Sequence, residues 1–124
     1  MNVVLWIIAI VLAVGFLAAG LMKVARPREQ LVASGMAWTE DFSANTVKFI
    51  GVVEILGAVG LILPAALDIA PILTPLAATG LGVTMILAVA VHIRRKEYGP
   101  ALFPLFLLIL SAIVAWGRFG PYSF

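Results

Sequence analysis

The chain contains no cysteine, and only 11% of its 124 residues are charged. Without cysteine it can form neither disulfides nor thiolate metal sites, and it has no thiol nucleophile. Any redox chemistry must therefore use electrons that come from elsewhere. Hydrophobic residues make up 64% of the sequence, which leaves too little polar surface to cover a water-soluble protein of this size. The composition predicts a protein that lies in a lipid bilayer.

Four long segments lack charged residues, apart from a single glutamate, Glu54. These segments are residues 1–22, 49–67, 69–91 and 98–117. Each is close to the roughly 20 residues that a helix needs to cross a hydrocarbon core about 30 Å thick. The segments are continuously apolar rather than alternating, which argues against a membrane β-barrel. The sequence therefore predicts four transmembrane helices, at about 3–24, 46–63, 72–93 and 101–117.

Prolines and polar side chains mark the expected ends of these helices. Pro27 and Pro64 are the predicted stops of the first and second helices, because proline lacks a backbone donor and disfavours helical geometry in the residue before it. Between them, residues 29–33 favour a short helix. Trp38 and Phe42 are typical of side chains that anchor a loop at the headgroup level.

Basic residues are concentrated on one side of the predicted membrane. Those on the side of the first and third loops are Lys23, Arg26, Arg28, Lys48, Arg94, Arg95 and Lys96. Only Arg118 falls on the opposite side. By the positive-inside rule, both long loops are cytoplasmic and both termini lie outside. Short connections make each helix antiparallel to the next, so the expected fold is all-α, an up-down four-helix transmembrane bundle.

Glu54 is the most informative residue because of its depth in the second predicted helix. It lies nine positions after Asn45, or roughly 13 Å at 1.5 Å per residue, which is near the middle of the hydrocarbon core. A carboxylate at that depth must be protonated, paired or placed in a wet cavity. Intramembrane acids are functional candidates by default. We therefore expect Glu54 to belong to a proton-handling or ligand site.

Small residues share the helix face of Glu54. Gly51, Gly57 and Ala58 lie three or four positions away, so either another helix or a flat ligand can approach closely there. These three residues are candidate cofactor-binding positions. In the alternative, Glu54 is neutral and only holds the bundle together, through a backbone group or through a hydroxyl such as that of Thr79, Thr84 or Ser111.

Two further residues are candidates for proton handling. His92, the only histidine, lies one turn inside a basic run, where it can relay protons or form an interfacial hydrogen bond. Lys23 follows Gly20 by three residues, so its stem can cross a small-residue face and approach His92 or Glu54. One histidine and no cysteine predict no metal site. The glycines lie inside apolar helices, so the sequence predicts no nucleotide-binding loop and no nucleic-acid partner.

Several short motifs follow one another along nearly the whole chain. They are Gly20-Leu21-Met22-Lys23, Phe49-Ile50-Gly51-Val52-Val53-Glu54-Ile55-Leu56-Gly57, Gly60-Leu61-Ile62-Leu63-Pro64 and His92-Ile93-Arg94-Arg95, with Gly35-Met36 and Trp38 in the first loop and Trp116-Gly117-Arg118-Phe119 at the end of the fourth helix. In this order they resemble the DoxX-like family. The resemblance implies a small four-helix protein of the bacterial inner membrane, whose characteristic Lys, Glu and His fall on Lys23, Glu54 and His92.

The resemblance also implies a leading function. Family members have been linked to quinone-coupled oxidation of sulfur compounds and to membrane complexes that handle oxidative stress. The first hypothesis is therefore an accessory subunit of a quinone-linked redox system, which takes electrons from a partner protein. It predicts a cavity that reaches Glu54, where Glu54 and His92 handle protons and Lys23 tunes their charge.

Two alternatives belong to other classes. A non-enzymatic binding or assembly protein would hold a lipid-like molecule or a partner, and it predicts a dry, closed bundle around Glu54. A small proton-coupled carrier is the weaker alternative, because four helices make a small transporter unless the chain forms a homo-oligomer. Small residues that can support such an oligomer are Gly15, Ala19, Gly80 and Gly82.

Overall fold

The computed structural model describes residues 2–33, 38–39, 42–99 and 101–123. Its helices are α1 (Asn2–Ala25), α2 (Arg28–Ala33), α3 (Ala44–Ala66), α4 (Leu73–Arg94) and α5 (Leu102–Phe119). The described residues include no β-strand. Helices α1, α3, α4 and α5 are long and apolar enough to cross a membrane. The predicted all-α fold with four transmembrane helices is confirmed. Gly35 and Met36 of the loop motif lie outside the described residues.

The four long helices form a closed ring in which each packs against two neighbours. Helix α1 contacts α3 and α5, and α4 contacts the same two helices from the other side. The shared core consists of Leu12, Phe16, Ala58, Leu61, Ala78, Leu81, Met85 and Val114. Large apolar side chains such as Val14, Leu56 and Leu87 remain exposed on the outer faces. A surface of this kind is suited to contact with lipid tails rather than water.

The predicted stop at Pro64 is wrong, because α3 continues through Pro64 to Ala66. Proline cannot donate to the carbonyl four residues earlier, which here belongs to Gly60. The Thr74 hydroxyl of α4 lies 3.5 Å from that carbonyl oxygen and donates to the Leu61 carbonyl at 3.1 Å. A donor from the neighbouring helix thus serves the carbonyls near the proline, and α3 continues for two further residues.

Helices α3 and α4 both end in a left-handed residue that reverses the chain. Asp68 has a φ of 55° and Lys96 has a φ of 61°. In each case two backbone hydrogen bonds back to the last turn of the helix form a Schellman motif. The left-handed position of this motif is usually occupied by glycine. In α4 the Glu97 N–H donates to the His92 carbonyl at 2.8 Å. This bond folds Glu97 back over the last turn of α4.

The end of the bundle that carries both termini is closed by Arg118 of α5. Its guanidinium donates to the Asn2 side-chain oxygen at 2.7 Å and to the Tyr122 carbonyl at 3.0 Å. It also lies 5.9 Å from the centre of the Trp6 ring. Arg118 is 3% exposed, so it joins the start of α1 to the segment after α5. The sequence places Arg118 opposite the other basic residues but does not predict these contacts.

Candidate functional site

Glu54 lies near the middle of α3 and is 2% exposed. Its Oε1 is 2.5 Å from Nζ of Lys23, in the last turn of α1. Lys23 is also buried, at 7% exposure. Of the three states that the sequence allows for Glu54, the structure therefore shows the paired one. We call Lys23 with Glu54 the buried ion pair.

Two glycines allow the backbones of α1 and α3 to approach closely beside this pair. A Cβ atom on Gly20 would lie 2.6 Å from the Gly51 carbonyl oxygen, and one on Gly51 would lie 2.8 Å from the Gly20 carbonyl oxygen. Neither distance leaves room for a side chain, and the contacting atoms belong to rigid backbone. The small residues therefore support a close helix contact, as in other membrane helix pairs.

The direction of the two side chains explains how they meet. Lys23 and Glu54 each follow a contact glycine by three residues, but α1 and α3 run antiparallel, so their Cα atoms are offset by roughly 9 Å along the bundle. A helical side chain leans toward the N-terminus of its own helix. Lys23 therefore points into the membrane and Glu54 points back toward it. The long lysine stem spans the remaining distance.

Trp38 is a second partner of the lysine. Nζ of Lys23 lies 5.4 Å from the centre of the Trp38 ring, which is within the range of a cation–π contact. The Trp38 ring is in turn packed edge-on against Phe42, with centres 5.9 Å apart. The sequence predicted both aromatic residues as membrane-surface anchors. The structure adds that one of them faces the lysine.

The small residues near Glu54 contact neighbouring helices. A Cβ on Gly57 would meet Leu81 of α4 at 2.6 Å, and Ala58 is 4% exposed within the core. Gly51 contacts α1 as described above. The close approach predicted for this face is thus made by helices, and the cofactor-binding role of Gly51, Gly57 and Ala58 stays a prediction.

The hydroxyl groups considered as partners of Glu54 bond elsewhere. Each donates to a carbonyl one turn earlier in its own helix: Thr79 to Pro75 at 2.8 Å, Thr84 to Gly80 at 3.0 Å and Ser111 to Leu107 at 2.8 Å. The partner that the structure gives Glu54 is therefore an ammonium group rather than a hydroxyl.

His92 belongs to a separate polar cluster at the end of α4. Its Nδ1 lies 3.0 Å from Oε1 of Glu97, and Nε of Arg95 lies 3.3 Å from the same oxygen. Helices α1 and α4 lie diagonally across the ring, with α3 and α5 between them. The structure pairs Lys23 with Glu54 and His92 with Glu97, and it keeps Lys23 and His92 on diagonally opposite helices. Sequence reasoning missed Glu97, whose return to His92 depends on the chain reversal at Lys96.

A cavity of about 480 Å³ opens beside Lys23, between the end of α1, α2 and the start of α3. We call it the interfacial cleft. Its polar lining includes Lys23, Arg26, Glu29, Ser43 and Lys48. Glu54 does not line it. The cavity that the redox hypothesis predicted at Glu54 thus reaches only its partner, Lys23.

A second cavity, of about 390 Å³, is an apolar groove between α3 and α4. We call it the outer groove. It is lined by Val53, Leu56, Gly57 and Gly60 of α3 and by residues of α4 that include Gly80. Gly57 lies one turn beyond Glu54 along α3. Of the three predicted cofactor-binding residues, Gly57 alone lines this groove.

Among the described residues, no group of three or more His, Asp or Glu side chains is placed to hold a metal ion. The features above define a multi-pass membrane protein with a charged pair buried between two adjacent helices.

Residues 7–114 match the sequence model of the DoxX-like family. Because the match covers most of the chain, the protein belongs to this family. No curated protein and no solved structure matches the chain. The matched segment contains Lys23, Glu54 and His92, and it ends before Arg118.

Replacement of a contact glycine tests the role of the close helix approach. Gly20→Ala is expected to lower the free energy of unfolding by about 2 kcal/mol, because the added methyl meets backbone atoms of α3. Gly15→Ala is the matched control, since a Cβ there meets nothing within 4 Å. Unfolding in detergent micelles measures both. Equal stability of the two variants would contradict this role.

A double-mutant cycle tests the buried ion pair. Lys23→Met is expected to cost about 3 kcal/mol of unfolding free energy, because it leaves a buried carboxylate without its cation. Adding Glu54→Gln to that variant should recover part of the loss. The same unfolding assay gives the coupling energy from the two single variants and the double variant. Additive losses would show that the two side chains do not stabilise each other.

Proposed function

We propose that this DoxX-like protein is an accessory membrane subunit of a quinone-linked redox system, in which the buried ion pair handles protons. The observation that carries the proposal is a carboxylate and an ammonium group buried together within apolar membrane spans. Ionisable groups at such depth are costly, and where they occur they often form proton or ion pathways. Lys23 also lines the interfacial cleft, which links the pair to one end of the bundle.

The outer groove is the proposed place of the quinone. Its lining is apolar, its volume of about 390 Å³ falls in the range of small-molecule sites, and it opens on the outer face of the bundle. Glu54 does not line the groove, but it lies at the same level of α3, between the groove residues Val53 and Gly57 in sequence. A quinone ring in the groove is thereby close in depth to the carboxylate. This placement gives Gly57 the ligand contact that the sequence predicted for it.

The residues of the chain decide which protein would supply the electrons and which the protons. Reduction of a quinone to its quinol adds two electrons and two protons. The chain has no cysteine and a single histidine, so the proposal assigns the electrons to a partner protein and the protons to Lys23 and Glu54. His92 is left out of this proton path, because its partner in the structure is Glu97.

One observation favours a non-enzymatic binding or assembly protein as the second candidate. Glu54 is 2% exposed and the small residues on its face contact neighbouring helices, as expected for the closed bundle that this candidate predicts. In that case the buried ion pair fixes the pairing of α1 with α3, and the ligand or partner binds elsewhere on the bundle.

Quinone retention distinguishes the two candidates. Wild-type protein purified from bacterial membranes is expected to retain a quinone, detected in lipid extracts by mass spectrometry. Gly80→Leu should lower retention about tenfold or more, because its side chain grows into the outer groove, and a Cβ at Gly80 meets nothing within 4 Å. Gly15→Leu, on an equally open position of α1, is the matched control. Glu54→Gln should lower retention as well, since it removes the carboxylate and leaves Lys23 without its counter-ion.

The native mass of every variant is measured as well, so that a loss of quinone can be distinguished from a change of oligomeric state. Retention lost in Gly80→Leu but kept in Gly15→Leu, with unchanged oligomeric mass, supports the quinone site. Absence of quinone from wild type, or equal retention by all variants, would contradict it and leave the assembly role ahead.

A homo-oligomer stays a prediction, and one of its four proposed residues is corrected. Gly15 and Gly80 lie on open faces of the bundle, where an added Cβ meets nothing within 4 Å. Gly82 is buried, and a Cβ there would contact Leu108 and Ser111 of α5. It packs inside the protomer, so it cannot contribute to an interface between copies.

We also propose that the bundle lies in the bacterial inner membrane with both termini outside the cytoplasm. The support is the charge distribution: Lys23, Arg26, Lys48, Arg94, Arg95 and Lys96 lie at one end of the bundle. The positive-inside rule places that end in the cytoplasm. Alkaline phosphatase fused to either terminus is therefore expected to be active. A fluorescent protein that matures only in the cytoplasm should stay dark, and fluorescence from both fusions would reverse the orientation.

A further inference from the structure

The interfacial cleft carries basic side chains that the proposed function does not use. Besides Lys23, which Glu54 neutralises, its lining includes Arg26 and Lys48. Both side chains are exposed, and no ion pair joins either of them to a carboxylate among the described residues. Glu29 is the acidic residue of the lining. Among the described residues of the lining, two available cations stand against one carboxylate, so this part of the cleft is positive.

The start of α3 adds to this positive character. Ser43 caps the helix by accepting a hydrogen bond from the Thr46 N–H at 3.1 Å, and both Ser43 and Ala44 line the cleft. The first turn of α3 contains no acidic side chain. The partial positive charge of the helix N-terminus is therefore not offset by a carboxylate of its own turn, and it reinforces the two cations.

The remaining walls of the cleft are apolar. Leu31 of α2 and Val47 of α3 are 0% and 1% exposed, and Val24 of α1 also lines the cavity. The cleft thus combines cations at its mouth with hydrocarbon walls. Its volume of about 480 Å³ lies within the range of small-molecule sites. A site of this composition fits an amphiphile with an acidic head better than a soluble ion or a neutral lipid.

We propose that the interfacial cleft binds the phosphate head group of one anionic phospholipid. The Arg26 guanidinium can hold phosphate oxygens in a bidentate manner, and Lys48 supplies a point charge from α3. The cleft lies at the end of the helices, at the level where a bilayer presents its phosphates. The upper part of the acyl chains contacts Val24, which is 37% exposed.

The other basic residues at this end of the bundle provide the matched control. Arg94 and Lys96 are exposed at the end of α4 and do not line the cleft. Arg26→Gln with Lys48→Gln removes two charges from the cleft, whereas Arg94→Gln with Lys96→Gln removes two from the same membrane face outside it. The buried ion pair stays intact in both variants.

Lipid binding is measured by native mass spectrometry of the protein in detergent, titrated with phosphatidylglycerol or phosphatidylcholine of the same acyl chains. Wild type is expected to bind one phosphatidylglycerol in preference to phosphatidylcholine. The cleft variant should bind it about tenfold or more weakly, at roughly fivefold for each lost cation. The control variant should stay within about twofold of wild type. Circular dichroism and melting temperature confirm that both variants fold.

Three results would overturn the proposal. They are equal losses in both double variants, equal binding of the two lipids by wild type, and displacement of the lipid by millimolar glycerol 3-phosphate. The last would mean that the cleft takes a soluble phosphate. The inference is independent of the quinone proposal, since the cleft variant leaves the outer groove and Glu54 unchanged. Loss of lipid preference with normal quinone retention, or the reverse, identifies which of the two fails.

Discussion

Glu54, at the middle of an apolar helix, is paired with the cation of Lys23, and this pairing depends on the close spacing of α1 and α3. Lys23 reaches Glu54 only because Gly20 and Gly51 let the two backbones touch, and because both side chains lean toward each other along antiparallel helices. A side chain at either glycine would separate the helices and lengthen the gap. The helix contact and the buried ion pair are therefore one structural unit, and the rest of the ring packs around it.

Lysines near the ends of membrane helices usually extend toward the headgroups, where their ammonium groups stay hydrated. Lys23 does the opposite, and its inward direction is stabilised by Glu54 on one side and by the Trp38 ring on the other. Apolar residues would fill the same space without this loss of hydration, since a buried ion pair rarely adds more stability than well-packed hydrocarbon. The presence of the pair at this depth therefore favours a role in function.

Much of the fold follows from local sequence properties, and the rest depends on contacts that sequence spacing does not contain. The four spans and the short helix in the first loop could be predicted because hydropathy, proline and capping residues act locally. The spacing of Lys23 from Gly20 also indicated that its stem could approach His92 or Glu54, without deciding between them. The extension of α3 past Pro64 could not be predicted, since it involves Thr74 of another helix. Two further contacts could not be predicted either. His92 meets Glu97 only because the chain reverses at Lys96, and Arg118 meets Asn2 only because α5 packs beside α1.

Lys23 belongs to both the buried ion pair and the interfacial cleft, so the charge states of the two are physically linked. With Glu54 ionised, the ammonium group is neutralised and the positive charge of the cleft comes from Arg26 and Lys48. A proton on Glu54 removes the carboxylate charge and leaves Lys23 as a third cation facing the cleft. In the lipid site proposed above, an acidic head group would then face three cations instead of two. One lysine thus connects a carboxylate deep in the apolar spans with the proposed lipid site at the end of the bundle.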